Sequence, residues 1–213
     1  MILYLNLHKT HISEYLKKIA KDLYNENMMK KYFKMPVKIQ FKQVVISKFL
    51  NIIVFNLLWV GLVLGRESLI YLTFPSLLIY LACLIHIGNL KLYQILLPAL
   101  IGIAIDSSLT FFGIFIFPDS SLIIPFWLIV LWINFSTTLT LSLSFIGKNK
   151  LVAFGLGATA LPFNYTVGER LGAVTFHEPY IFSILILVLV WSISFPILFI
   201  VSDENFIKRL RIR

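Results

Sequence analysis

The chain has 213 residues, 59% of them hydrophobic and 14% charged, with a mean hydropathy of +0.88. Soluble domains carry about 25% charge, so this composition excludes a water-soluble globule and points to a chain solvated by a bilayer. The net charge of +9 would suggest nucleic acid, but most of it lies beside the apolar runs, where it suits anionic lipid headgroups instead.

Residues 1–48 differ from the rest. They hold ten lysines against three acids, Glu14, Asp22 and Glu26, and no long apolar run. A secretory signal needs an apolar core behind a short basic start, and none is present. Ile12, Tyr15, Leu16, Ile19 and Leu23 follow the spacing of one helical face, with Lys17, Lys18 and Lys21 off it. The segment is expected to be either a basic amphipathic helix on the inner membrane surface or a solvated tail. Met28, Met29 and Met35 are alternative translation starts that the sequence leaves open.

Six apolar stretches follow, at about 49–65, 68–87, 92–117, 122–146, 151–168 and 181–201, and each approaches the roughly 20 residues a helix needs to cross the hydrocarbon core. They predict an all-α fold, an integral membrane bundle of six transmembrane helices, closed by a basic tail at 202–213. An even count puts both termini on one side. Seventeen of the lysines and arginines then fall on that side, and only Arg66 and Arg170 on the other. This bias predicts that both termini are cytoplasmic. Trp127 is a candidate interfacial anchor, whereas Trp132 and Trp191 are expected within the bundle or against lipid. Cys83 sits in the second stretch and, being alone, allows neither a disulfide nor a cysteine metal site.

The third stretch carries Asp106, the one charge between Leu92 and Phe117. A carboxylate near the bilayer midplane is expensive and marks a functional site by default. Gly102, Asp106, Thr110 and Gly113 share one helical face, and the small residues invite a neighbouring helix. The fourth stretch is rich in hydroxyls and amides: Asn134, Ser136, Thr137, Thr138, Thr140, Ser142 and Ser144. The fifth offers Gly155, Gly157, Pro162, Asn164 and Tyr165, and Pro162 is expected to kink it and free a carbonyl. These three helices predict a small polar cavity around Asp106. Its expected members are Asp106, Thr110, Asn134, Thr137, Thr138, Asn164, Tyr165 and Arg170.

Two readings of Asp106 stand side by side. In one it is a proton, cation or amine site; in the other it clamps helices, protonated or bonded to hydroxyls of the fourth helix. Small hydroxyls are common glue between membrane helices, which favours the second for the Ser/Thr run. Arg170, at the end of the fifth stretch, suits either a phosphate or carboxylate headgroup or a snorkelling end residue. His86 reads as an interfacial terminus.

The chain lacks a His-Glu-x-x-His helix, a Gly-x-Ser-x-Gly elbow and a phosphate-binding Gly-x-x-x-x-Gly-Lys loop. His86, Asp106, Asp119, Glu169 and His177 are dispersed. Neither a cofactor nor a metal is therefore expected, and no repeat relates the first three stretches to the last three.

Several pieces carry a likeness to a known family: Trp59-Val-Gly-Leu-Val-Leu64, Gly102-Ile-Ala-Ile-Asp106-Ser107, the run from Pro125 to Trp132, Phe135-Ser-Thr137-Thr138-Leu139, and the run from Pro162 to Gly172. In order and spacing they resemble the domain-of-unknown-function family 2878, small bacterial inner-membrane proteins, over roughly residues 51–201. Relatives carry an Asn-His pair after the Thr-Thr-Leu. This chain has Thr140-Leu141, so the resemblance assigns no histidine-based role to the fourth helix. It implies a setting beside lipid-modifying enzymes, methyltransferases of the cyclopropane-fatty-acid synthase type and flavin amine-oxidase-like proteins, and no activity. Three functions remain open: a non-enzymatic component of lipid or envelope metabolism or a small permease; a lipid-modifying enzyme using Asp106, Tyr165 and Arg170; and a structural scaffold.

Overall fold

The computed structural model describes Gln43 and residues 47–87, 90–117, 124–177 and 179–206. The chain divides into two units, Met1–Gln43 and Val44–Arg213. The basic amphipathic segment expected at 1–48 lies outside the described residues, apart from Gln43, Ser47 and Lys48, as does most of the basic tail.

Among the described residues, six long helices form the second unit: α1 (Lys48–Gly65), α2 (Ile70–His86), α3 (Tyr93–Phe111), α4 (Phe126–Thr140), α5 (Lys150–Arg170) and α6 (Tyr180–Ser202). Two two-residue strands, β1 (Phe115–Ile116) and β2 (Thr175–Phe176), pair antiparallel and join the turn after α3 to the turn after α5. The helical stretches Lys48–His86, Tyr93–Phe111, Lys150–Arg170 and Tyr180–Ser202 are long and apolar enough to cross a membrane; Phe126–Thr140 is apolar but shorter. The surface agrees. Leu57, Tyr71, Leu72, Leu151 and Leu185 are all exposed, while Asn51, Asp106, Asn134, Ser136, Thr137 and Ser183 are fully buried. Apolar outside and polar inside is the arrangement that lipid, not water, rewards. The protein is an all-α membrane bundle.

α1 and α2 run antiparallel. Ser47 caps α1 by accepting from the Leu50 N–H at 3.1 Å. A 3-10 turn, Arg66–Leu69, reverses the chain, with Arg66 at φ 46°. Gly61 then lies against Thr73, and Asn51 at the start of α1 meets Tyr80 late in α2. At the end of the hairpin, the Glu67 carboxylate accepts from the Trp127 N–H at 3.4 Å and caps α4, whose own Pro125 offers no side-chain acceptor. A carboxylate there complements the positive end of the α4 dipole. The closest helix pair is α5 with α6. Gly157 allows it, since a Cβ there would sit 2.3 Å from the Trp191 carbonyl oxygen.

Two predicted boundaries are corrected. The third stretch, expected to be helical over 92–117, stops at Phe111. Gly113 takes φ +73° and the chain turns into β1, so Gly113 does not extend the face of Gly102 and Asp106. The fourth, expected over 122–146, is α-helical among its described residues only from Phe126 to Thr140. The hydroxyl-rich run undoes it from within. Thr137, Thr138 and Thr140 each donate to the carbonyl three residues back, and Asn51 Oδ1 captures both the N–H and the hydroxyl of Ser142, at 3.2 and 2.6 Å. Such side chains offer the backbone an alternative to the helical ladder. The fifth and sixth helices exceed their predicted spans by only one or two residues at each end, and α5 passes through Pro162 without interruption.

Candidate functional site

Asp106 lies in the last third of α3, five residues before its end at Phe111, and is fully buried. Gly102, one turn earlier, has no side chain to hold neighbours off. A Cβ there would fall 2.3 Å from the Trp132 ring, so the indole lies flat against α3. From that seat Trp132 Nε1 donates to Asp106 Oδ2 at 2.7 Å. The Tyr165 hydroxyl donates to Oδ1, also at 2.7 Å. Three helices thus meet at one carboxyl group, and each of its oxygens has a donor, as a buried acceptor requires.

The same two rings enclose Trp191 of α6. Trp132 and Trp191 stack with centroids 5.2 Å apart, and Trp191 and Tyr165 stack at 5.9 Å. The column continues through Phe115, 5.0 Å from Tyr165, to Phe176 at 5.7 Å. Offset stacks of this spacing add to the gain from burial alone. Trp191 is wholly buried, and its indole N–H has no partner.

Beside this column, between α1 and α4 on one side and α5 and α6 on the other, lies a cavity of about 350 Å³. Trp59, Trp127, Trp132, Phe135 and Phe195 supply much of its wall. Among the described residues, the only amide or hydroxyl side chains in that wall are Asn164 and Tyr165, and none that lines it is charged. Asn164 is also exposed, which puts it at the lip. Gly168 lines the cavity too, and a Cβ built there meets no atom within 4 Å. Arg66 donates from Nη2 to the Leu171 carbonyl oxygen at 3.2 Å, which ties the turn after α1 to the turn after α5. A mainly apolar pocket of this size with a few placed polar groups is the usual form of a small-molecule site.

The eight residues expected around Asp106 do not form one cluster. Asp106 and Tyr165 bond directly, and Asn164 and Tyr165 share the cavity wall. Thr110 donates to the Asp106 backbone oxygen at 2.8 Å, not to its carboxyl. Asn134 and Thr137 of α4 meet α1 instead. Asn134 donates to the Phe55 carbonyl at 3.2 Å and leaves its own Oδ1 unpartnered. Thr137 accepts from Asn51 Nδ2 at 2.9 Å, and Thr138 bonds within its own helix. The Arg170 side chain is 80% exposed, with Glu169 at 3.7 Å. The expectation that hydroxyls of the fourth helix face Asp106 is therefore replaced by an indole and a phenol. Trp127, expected as an interfacial anchor, is buried in the core.

A second polar knot, which the sequence pattern does not announce, sits around Asn51. It donates to Tyr80 at 3.2 Å and to Thr137, and accepts twice from Ser142. Asn51 stands near the start of an apolar run, where an asparagine reads as a border residue. Trp132 and Trp191 are legible in the sequence only as bulk. Among the described residues no three of His, Cys, Asp and Glu gather as metal ligands would.

A model of the family described as "Protein of unknown function (DUF2878)" matches residues 48–197. No curated protein and no solved structure matches the chain.

Proposed function

We propose a lipid-binding, non-enzymatic role for this chain, which belongs to the DUF2878 family of proteins of unknown function. It holds one lipid-like molecule in the cavity between α1, α4, α5 and α6, as a component of lipid or envelope metabolism. The observation that carries this reading is the uncharged, aromatic-lined cavity whose lip reaches the apolar surface at Asn164. Asp106 supports the wall from behind. Its carboxyl does not line the cavity, and Trp132 and Tyr165, which do, are held in place by it.

In the same reading all six helices cross a bacterial inner membrane and both termini are cytoplasmic. The start of α1 and the end of α6 lie at one end of the bundle. Asn51 meets Ser142 just past α4, and Gln94 at the start of α3 donates to the Ser202 carbonyl. The lysine-rich N-terminus then faces anionic headgroups, and lipid-pathway proteins are the natural partners. A C-terminal reporter active only outside the cytoplasm would overturn this topology.

The binding test is lipid analysis of the full chain extracted directly from membranes in native nanodiscs. The wild type carries a lipid species enriched over the bulk membrane, and Gly168→Leu, which fills the cavity, loses it. Equal lipid profiles in the two proteins exclude the cavity as a ligand site. A second reading, a scaffold, draws on the full pairing of both Asp106 oxygens. It predicts no enriched species at all.

A further inference from the structure

We infer that the cavity selects an uncharged amphiphile, one hydrocarbon chain bearing a hydroxyl group, with Asn164 as the residue that reads the hydroxyl. This rests on the reading of the cavity as a lipid site and names the chemistry it admits.

The wall decides what it excludes. An ion moved into an uncharged apolar cavity loses its hydration and recovers it only from a counter-charge or several donors. Among the described residues, no lysine, arginine or histidine lines the cavity to meet an anion, and no carboxylate lines it to meet a cation. The one buried carboxyl beside the wall, Asp106, is screened from the cavity by its own two donors, Trp132 and Tyr165.

The amide at the lip decides what it accepts. Tyr165 turns its hydroxyl to Asp106 Oδ1, behind the wall, and gives the cavity its ring. Asn164 spends one N–H on the Ala160 carbonyl at 2.8 Å, leaving a second N–H and the Oδ1. Asn164 thus offers one acceptor and one donor at the lip. A hydroxyl, donor and acceptor at once, uses both kinds. A carbonyl can use only the single N–H. On α5 the lining runs from Leu156 to Gly168. At 1.5 Å per helical residue, about 12 Å of apolar wall lies between Leu156 and Asn164, room for an alkyl chain.

The experiment uses the full chain in nanodiscs and three ten-carbon probes: decanol, decanesulfonate and decyltrimethylammonium. Saturable binding of labelled decanol is measured over empty nanodiscs, with the two ions as competitors. Decanol is expected to bind at least ten times more tightly than either ion. Gly168→Leu abolishes saturable binding. Asn164→Leu, at an unchanged unfolding midpoint, weakens decanol by about tenfold and narrows its advantage over the ions. If none of the three probes binds saturably, the lipid-site reading itself fails. If decanol binds but either ion displaces it at equal concentration, or Asn164→Leu leaves its affinity unchanged, the cavity is a lipid site without this selectivity and the inference is overturned. Decanol binding that survives Gly168→Leu places the ligand elsewhere and overturns both.

Discussion

Tyr165 of α5 donates a 2.7 Å hydrogen bond to Asp106 of α3, and the same phenol ring forms part of the cavity wall. Trp132 does the same from the other carboxyl oxygen. The intramembrane charge therefore acts on the cavity through two aromatic side chains and not by contact. A change at Asp106 is felt first as a loosened wall.

That arrangement sets the ranking of Asp106 variants. Asp106→Leu leaves the Trp132 N–H and the Tyr165 hydroxyl without partners. Buried hydrogen bonds between membrane helices average about 0.6 kcal/mol and reach roughly 1–2 kcal/mol in model peptides. The loss of two such bonds is expected to lower stability by about 1–3 kcal/mol. Asp106→Asn keeps one acceptor oxygen and presents an amide N–H₂ to the second donor, so it should fall between the two. Unfolding of the full chain in mixed micelles measures the order wild type, Asn, Leu. An asparagine variant as unstable as the leucine variant would contradict the pairing.

Gly102→Ala tests the seat of Trp132. The added methyl group would overlap the indole ring, 2.3 Å from its nearest atom, and the ring cannot withdraw without breaking its bond to Asp106. Overpacking of this kind costs about 1–3 kcal/mol. The tryptophan emission should also shift to the red as Trp132 leaves its buried site. Gly155→Ala, on an exposed face of α5 where a Cβ meets nothing, is the control and should be neutral or slightly stabilising.

Asn51→Leu removes a residue that makes four hydrogen bonds to three partners. It leaves the Ser142 N–H unpaired and frees the turn at residues 141–145 after α4. Stability is expected to drop by about 1–3 kcal/mol, with faster amide exchange confined to that turn. Exchange unchanged at residues 141–145 would show that the turn holds itself.

Much of the bundle could be read from the chain. Length of apolar run and lysine bias mark helices wherever a run is interrupted by charge, as at Arg66-Glu67 and Lys148–Lys150, and α5 and α6 end close to where those signals place them. The signals fail where the stop is not a charge. Phe112 to Phe117 stays apolar through a glycine turn and into a strand, so hydropathy cannot see the end of α3. The end of α4 depends on Asn51, 91 residues away from Ser142, as well as on the local hydroxyls, and no local pattern encodes that long-range contact. The site shows the same division. Asp106 and Tyr165 stand out as polar residues in apolar runs, and the structure brings them together. The hydroxyls of α4 stand out equally, but Thr137 serves the contact with α1 and Ser136, Thr138 and Thr140 bond within α4. The second partner of Asp106 is an indole, whose single donor is hidden in a residue that reads as apolar bulk.

Trp132 and Trp191 give the sharpest test of that last point, because they are stacked neighbours with the same side chain and opposite hydrogen-bonding states. Both are buried, and their rings lie 5.2 Å apart. Trp132 Nε1 bonds to Asp106, whereas Trp191 Nε1 has no partner. Phenylalanine at either position removes a similar volume and the same N–H, and keeps an aromatic face for the stack. At Trp191 the lost packing is offset by removal of an unsatisfied buried donor, so Trp191→Phe should change stability by no more than about 1 kcal/mol. At Trp132 nothing offsets the lost packing, and Asp106 Oδ2 is left bare in an apolar interior. Trp132→Phe should therefore cost more, by about 1–2 kcal/mol over the Trp191 variant. Adding Asp106→Leu should remove most of that difference, since the bond is already gone. Equal costs for the two tryptophans in the wild-type background would show that the indole bond to Asp106 contributes nothing to the fold.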